Sequence, residues 1–421
     1  MKKKSANKTL YISMLVVLLS CAGIALPYPI LAPLFISSSS GIRDFGGFEP
    51  KILLGIALAV YPLGALIGSS ILGAASDIYG RKKVLTITLG FSIIGYGLSA
   101  LALMQENYLL FVLTRLLTGF CEGNIAIAKA IASDLSPVLD KTKTFSLINA
   151  SGYTGWLIGP LVGGLLQPYG DHIAFGFAAI SIALACIAVT LWLTNEQPKP
   201  QKKSQFLSLI KKENSLGLLK DNAIRRLLSL YLIVTLGVSA FTEFNPLWLV
   251  EQLQFTSTKI GLITATVTGM MILFSSIFVA RIKEKLGINL AISISIFLLS
   301  GLLLAHPAFN DTNIWYFYGL IGVVMAVYNS LLPVFISERF NYVGQGKLMG
   351  LLTATTFFAN MVMALLGSVI ALLGTIWPIV FGGVLILISG LWFQLEFSAY
   401  NKEKSEDTNG FDKENIGKNL T

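Results

Sequence analysis

Apolar runs long enough to cross a bilayer follow one another along this chain, separated by short polar segments. A hydrocarbon core about 30 Å thick is spanned by roughly 20 helical residues at about 1.5 Å each. With no water there to satisfy backbone N–H and C=O groups, each segment must satisfy its own, which makes it a helix. The runs predict twelve transmembrane helices at 10–36, 51–75, 83–104, 107–133, 144–167, 172–194, 226–250, 258–280, 288–306, 313–337, 345–373 and 376–398. Only 13% of residues are charged, against about 25% in soluble domains. The expected class is an all-α membrane protein.

A stretch at 2–21 imitates a lipoprotein leader, with Lys2–Lys4, an apolar run and Leu19-Ser20-Cys21. The apolar run continues to about Ile36, longer than the roughly 7–15 residues of a leader. It therefore reads as the first membrane helix.

The net charge of +9 does not suggest nucleic acid. Twenty-six of the 31 Lys and Arg fall in segments on one side, three (Arg43, Lys51, Lys259) on the other, and Arg115 and Lys129 within a helix. This asymmetry places both termini in the cytoplasm of a multi-pass cell-membrane protein, the inner membrane if the cell is Gram-negative. The long polar segment implies units at 1–195 and 226–399, a linker at 196–225 and a polar tail at 400–421. Within the linker, 206–219 suits a surface amphipathic helix.

The two halves echo each other at an offset of 204: Asp134 with Glu338, Lys143 with Lys347, Leu147 with Leu351, Gly163 with Gly367. A duplicated six-helix unit follows, with a site between the repeats.

Cys21, Cys121, Cys186, His172 and His306 have no metal-ligand spacing. No phosphate-binding loop and no nucleophile–base arrangement occurs, so neither an enzyme nor a cofactor is expected.

The loop after the second helix reads Gly73-Ala-Ala-Ser-Asp77-Ile-Tyr-Gly80-Arg81-Lys82-Lys83. Glycines permit a tight turn. Asp77 could cap a facing helix, where its charge meets the helix dipole. This loop resembles the signature of the major facilitator superfamily, with Ala75 and Ile78 departing from its usual Leu and Arg. The resemblance implies two six-helix bundles in the major facilitator fold. It also implies a latch made by Gly73, Asp77, Gly80, Arg81 and Lys82, with Asp134 as the partner of Arg81. A weaker echo, Arg281 to Gly287, sits at the corresponding place in the second half.

Arg115-Leu-Leu-Thr-Gly119 is similar to the family's motif in the fourth helix. An intramembrane arginine is costly and should face protein or water. Arg115, Glu122 and Lys129 lie seven apart, which puts them on one helical face. Gly155, Gly159, Pro160, Gly163 and Gly164 combine close-packing glycines with a bend. Their string resembles the mark of the drug:proton antiporter branch, though Ser146 replaces its upstream glycine. Pro27, Pro29 and Pro33 resemble the first helix of that branch, but no acid lies between Leu10 and Ser38.

Glu122 and then Glu243 are the expected proton-coupling acids, tuned by Arg115. Asn245 and Pro246 beside Glu243 suggest a broken or bent seventh helix lining a cavity. Lys129, Phe241, Phe244, Asn245 and Tyr328 are the candidate cavity residues, with aromatics suited to an apolar or cationic substrate. The expected activity is proton-coupled efflux of a small organic molecule by a monomer. A symporter importing a metabolite and a non-transporting receptor or scaffold are the alternatives.

Overall fold

A computed structural model describes residues 3–37, 40–121, 123–135, 138–193, 215–309, 311, 313–343 and 345–396. Among them there is no strand. The first half contains α1 (Lys3–Ala25), α2 (Tyr28–Ile36), α3 (Pro50–Tyr79), α4 (Arg81–Met104), α5 (Tyr108–Phe120), α6 (Gly123–Asp134), α7 (Lys141–Leu166) and α8 (Asp171–Trp192). The second contains α9 (Asn222–Leu253), α10 (Ser257–Ile277), α11 (Val279–Leu286), α12 (Ile288–Ala305), α13 (Ile314–Arg339), α14 (Gln345–Ile370) and α15 (Trp377–Glu396).

These helices make twelve spans, because α1–α2 and α5–α6 each form one and α11 is a short amphipathic turn after α10. Eleven of the spans are long and apolar enough to cross a membrane. The twelfth is α7, whose 26 residues have the length, although lysines and glycines dilute its apolar character.

The first span starts at Lys3, seven residues before the sequence reading put it, and is interrupted at Leu26-Pro27. Pro27 and Pro29 have no N–H to continue the ladder, so α2 begins anew with proline in its first turn. The fourth span is interrupted around Cys121, whose N–H is shared by the carbonyls of Leu117 and Gly119. The seventh was expected to be broken or bent beside Glu243. It is not broken: α9 runs as one 32-residue helix with Pro246 inside it. Of the suggested surface helix at 206–219, only the end falls among the described residues, where Ser215–Lys220 is a 3-10 turn. The tail at 400–421 lies outside them.

Side-chain caps fix several starts. Asn107 accepts from Leu110 N, Asp140 from Lys143 N, Asp221 from Ala223 N and Thr256 from Lys259 N. The 204-residue echo is visible in the backbone. Adding 204 to the bounds of α7 gives those of α14, and adding it to the 3-10 turn Gln167–Tyr169 gives Ala371–Leu373. The glycines that follow, Gly170 and Gly374, share φ of 131° and 145° and ψ of 137° and 141°.

Within the first half α1 packs on α7, α3 on α5 and α4 on α8. Within the second, α10 packs on α13 and α9 on α14. The halves meet where α3 crosses α14 and α7 crosses α10. Since α7 corresponds to α14, these two crossings exchange under the repeat.

Candidate functional site

The two ends of the molecule are called here the terminal end, where α1 starts and α15 stops, and the distal end opposite. At the terminal end, Gly80 turns the chain from α3 into α4 with φ of 96°. That left-handed conformation suits glycine. The turn aims Arg81 back at Asp77, with Nη2 2.6 Å from Oδ1. The same guanidinium reaches Asp134 at the end of α6 through Nε at 3.2 Å, and donates to Ser76 Oγ at 2.7 Å. Asp77 thus serves an ion pair within its own turn. Gly73 has open space around it, so no close approach depends on it. Lys82 donates to the Leu193 carbonyl at 2.7 Å and ties α4 to the end of α8. In the second half Lys283 of α11 meets Glu338 of α13 at 3.0 Å.

The glycine-rich face of α7 divides its work. Gly155, Gly159 and Gly163 lie against the backbone of α1 and Leu26. Gly164 and Pro160 lie against Ser257 and Gly261 of α10, across the boundary between halves. A methyl on Gly164 would sit 2.5 Å from the Ser257 carbonyl, so a side chain cannot enter without parting the helices. Thr258 Oγ1 donates to the Gly164 carbonyl at 2.8 Å across the same boundary. Lys51, at the start of α3, completes the distal closure. It pairs with Glu251 of α9 at 2.9 Å and donates to the Ala371 carbonyl at 3.3 Å.

Inside this closure lies a small polar centre. Glu243 of α9 is 4% exposed. Tyr28 of α2 donates to its Oε1 at 3.3 Å, a bond from one half to the other, while Oε2 is buried without a partner. Arg115 of α5, also 4% exposed, is within electrostatic reach of both Glu243 and Tyr28. Its guanidinium stacks over the Tyr61 ring at 4.5 Å, and Nε and Nη1 are buried without hydrogen-bond partners. Trp156 of α7 stands 5.8 Å from the Tyr28 ring, centroid to centroid, and is partly exposed.

The expected stripe of Arg115, Glu122 and Lys129 does not ride on one uninterrupted helix, because the fourth span breaks between Arg115 and Lys129. Gly119 and Gly123 flank the break and press on Tyr61 and Leu72 of α3, a contact that larger residues would forbid. Lys129 is exposed. Glu122 lies outside the described residues.

The candidate cavity residues of the second half are packed. Phe244 is fully buried against Gly367, and Tyr328 is 4% exposed. Phe241 stacks near Tyr318 and His306, with Trp248 4.3 Å from the His306 ring. Asn245 accepts a hydrogen bond from Tyr318, whose oxygen also meets His306 Nε2 at 2.9 Å. Sequence reasoning missed Tyr28, Tyr61, Trp156 and the Lys51–Glu251 pair. Tyr28 carried a signal, since it is the polar-tipped residue within the proline run of the first span.

Among relatives, the chain is 27% identical over 378 residues to tetracycline resistance protein, class H, of Pasteurella multocida, covering 86% of this chain and 88% of that protein. It is 26% identical over 415 residues to multidrug resistance protein 2 of Bacillus subtilis (strain 168), covering 96% and 98%. Among solved structures, a D-xylose-proton symporter matches with a TM-score of 0.71 at 16% identity, over 92% of this chain and 96% of that one. A human organic anion transporter matches with a TM-score of 0.64 at 20% identity, over 92% and 99%. At such identities these structural matches speak for the fold alone. The family model of the Major Facilitator Superfamily matches residues 13–347, and with the signature loop and the repeated six-helix plan in place, the chain belongs to that superfamily of transporters.

Proposed function

We propose that this transporter exports a small organic molecule across the cell membrane in exchange for protons, by alternating access, with its terminal end in the cytoplasm. The observation that carries the reading is the Tyr28–Glu243 bond between the halves, inside the distal closure. A charge-assisted hydrogen bond is roughly twice as strong as a neutral one. A proton on the unpaired Oε2 of Glu243 would therefore change a contact that holds the halves together. Arg115, with two unpaired buried donors nearby, is placed to feel that change. Trp156 and Lys129 would border the substrate's path from the terminal end, and Glu122 is the second acid proposed for coupling.

Export is supported by the glycine–proline string of α7 and by relatives whose names are those of tetracycline and multidrug resistance proteins. The excess of Lys and Arg on the terminal side supports the orientation. The test is dye transport in inverted membrane vesicles, with and without a protonophore, for wild type, Glu243→Gln and Glu122→Gln. Transport that needs the gradient and fails in Glu243→Gln is expected. Gradient-driven transport undiminished in Glu243→Gln would remove that residue from the mechanism, and transport indifferent to the protonophore would remove proton coupling altogether.

A further inference from the structure

An open groove of about 430 Å³ runs between α1 and α8 at the terminal end, outside the interface between the halves. Lys4, Asn7, Lys8, Tyr11, Ile12 and Leu15 form its α1 wall. Steps of three and four residues keep them on one helical face. Ala188 and Trp192 of α8 form the other wall.

The groove is graded along its length. Its rim is cationic and polar, its middle carries the exposed rings of Tyr11 and Trp192, and its depth is aliphatic. Lys4 to Leu15 covers roughly 16 Å of helix at about 1.5 Å per residue, about one leaflet of a 30 Å hydrocarbon core. Tyr and Trp prefer the headgroup level of a membrane, and lysines there reach toward the interface. Lys8 Nζ stands 5.9 Å over the Trp192 ring, so the cation is already drawn to the groove. Among the described residues no carboxylate lines it, so none of them neutralises the two ammonium groups from within. The bond from Lys82 to the Leu193 carbonyl holds the end of α8, one residue beyond Trp192, and so fixes the aromatic wall. A signature-loop residue with no part in the polar centre thus gains a role.

We propose that this groove is a binding site for an anionic phospholipid of the leaflet at the terminal end. The phosphate sits between Lys4 and Lys8, and one acyl chain lies along Ile12, Leu15 and Ala188. Charge complementarity selects the anionic headgroup, and the apolar depth requires a lipid rather than a free phosphate. Each lysine near an anionic surface contributes about 1 kcal/mol. Removing both corresponds to a loss of about thirtyfold in affinity.

The test is native mass spectrometry of the full-length protein titrated with phosphatidylglycerol or phosphatidylcholine. Wild type should retain phosphatidylglycerol preferentially, Lys4→Gln/Lys8→Gln should hold it about thirtyfold more weakly, and Lys4→Arg/Lys8→Arg should keep it. Lys283→Gln/Lys285→Gln, which removes the same charge elsewhere at the terminal end, should behave as wild type. Equal retention in the Lys4→Gln/Lys8→Gln protein and wild type would overturn the proposal, as would an equal loss in the Lys283→Gln/Lys285→Gln control. Displacement of the lipid by glycerol phosphate at equal concentration would also overturn it, because a headgroup alone should not compete. Retention that emerges only after residues 397–421 are removed would assign the groove to the chain's own tail instead.

Discussion

At the distal end the two halves touch each other, through glycine-lined helix crossings, the Lys51–Glu251 pair and the Tyr28–Glu243 bond. At the terminal end each half is tied to itself: Arg81 to Asp77 and Asp134 in the first, Lys283 to Glu338 and Tyr342 to Asp221 in the second. The contrast teaches how such a protein can rock. Under the proposed alternating access, contacts between halves would break in each cycle, whereas contacts within a half would keep a bundle rigid while it moves. The distal contacts are shape-dependent and sensitive to a single added side chain. The terminal contacts are ion pairs of graded exposure and one hydrogen bond, and the weight of the ion pairs should fall as exposure rises.

The sharpest way to break the comparison is to fill the distal crossing. Gly164→Leu or Gly261→Leu inserts a side chain where backbone meets backbone, and overpacking of this kind costs about 1–3 kcal/mol. Transport in vesicles should fall by about tenfold or more, with the distal ends farther apart in spin-label distance measurements. Unchanged distances would show that the crossing does not hold the closure.

Next in size is the asymmetry between the two halves at the terminal end. Arg81 makes two ion pairs and a bond to Ser76 while its side chain is 17% exposed, whereas Lys283 and Glu338 are 40% and 57% exposed. Arg81→Ala should lower the thermal unfolding temperature of the purified protein by several degrees, and Lys283→Ala by about one degree or less, following the roughly 0–1 kcal/mol of exposed pairs. Equal shifts would mean that exposure does not rank these joints.

A smaller effect is expected at the distal ion pair. Lys51→Gln removes its charge while the glycine crossing stays intact, so the distal end should open more often without losing its shape. A cysteine at Ser368, which faces Gly55 across the halves, should then react a few-fold faster with an impermeant maleimide added from the distal side. No change in rate would leave the closure to the glycines alone.

The smallest expected change concerns Asp221. Tyr342 Oη donates to its carboxylate at 2.9 Å and, with the bond from Ala223 N, holds it below the ordinary value of 3.8. A lowered folded value adds stability above the unfolded value, and that stability disappears as pH falls through the folded value. Tyr342→Phe should therefore lower the unfolding temperature slightly at pH 7 and make no difference near pH 2. A deficit that persists at pH 2 would assign the effect to packing.

Spans and repeat were legible in the sequence because each is written along the chain, as apolar length and as an echo at a fixed offset. Apolar length needs no partner to be read, and the turn at Gly80 and Arg81 follows from a local motif, whereas Asp134, 53 positions from Arg81, was expected as its partner only from the family resemblance. The Arg115–Glu122–Lys129 stripe rests on more than a local pattern, and its middle residue lies outside the described residues. Helical arithmetic assumes an unbroken helix, and the fourth span yields around Cys121, beside glycines pressed on α3. Phe244 and Asn245 were candidates for a cavity, but only packing could show that Gly367 and Tyr318 already occupy their surroundings.

The sequence by itself determined that the chain is a membrane protein of twelve helices, duplicated, with a signature loop between its second and third spans, because hydrophobic length and backbone satisfaction are properties of a segment. Only the tertiary structure decided that Tyr28 of the first half holds Glu243 of the second, that Lys51 reaches Glu251, and that Arg115 lies on Tyr61. Tyr28 and Glu243 are 215 positions apart. Nothing local relates them, and their meeting depends on how two separately formed bundles lean together.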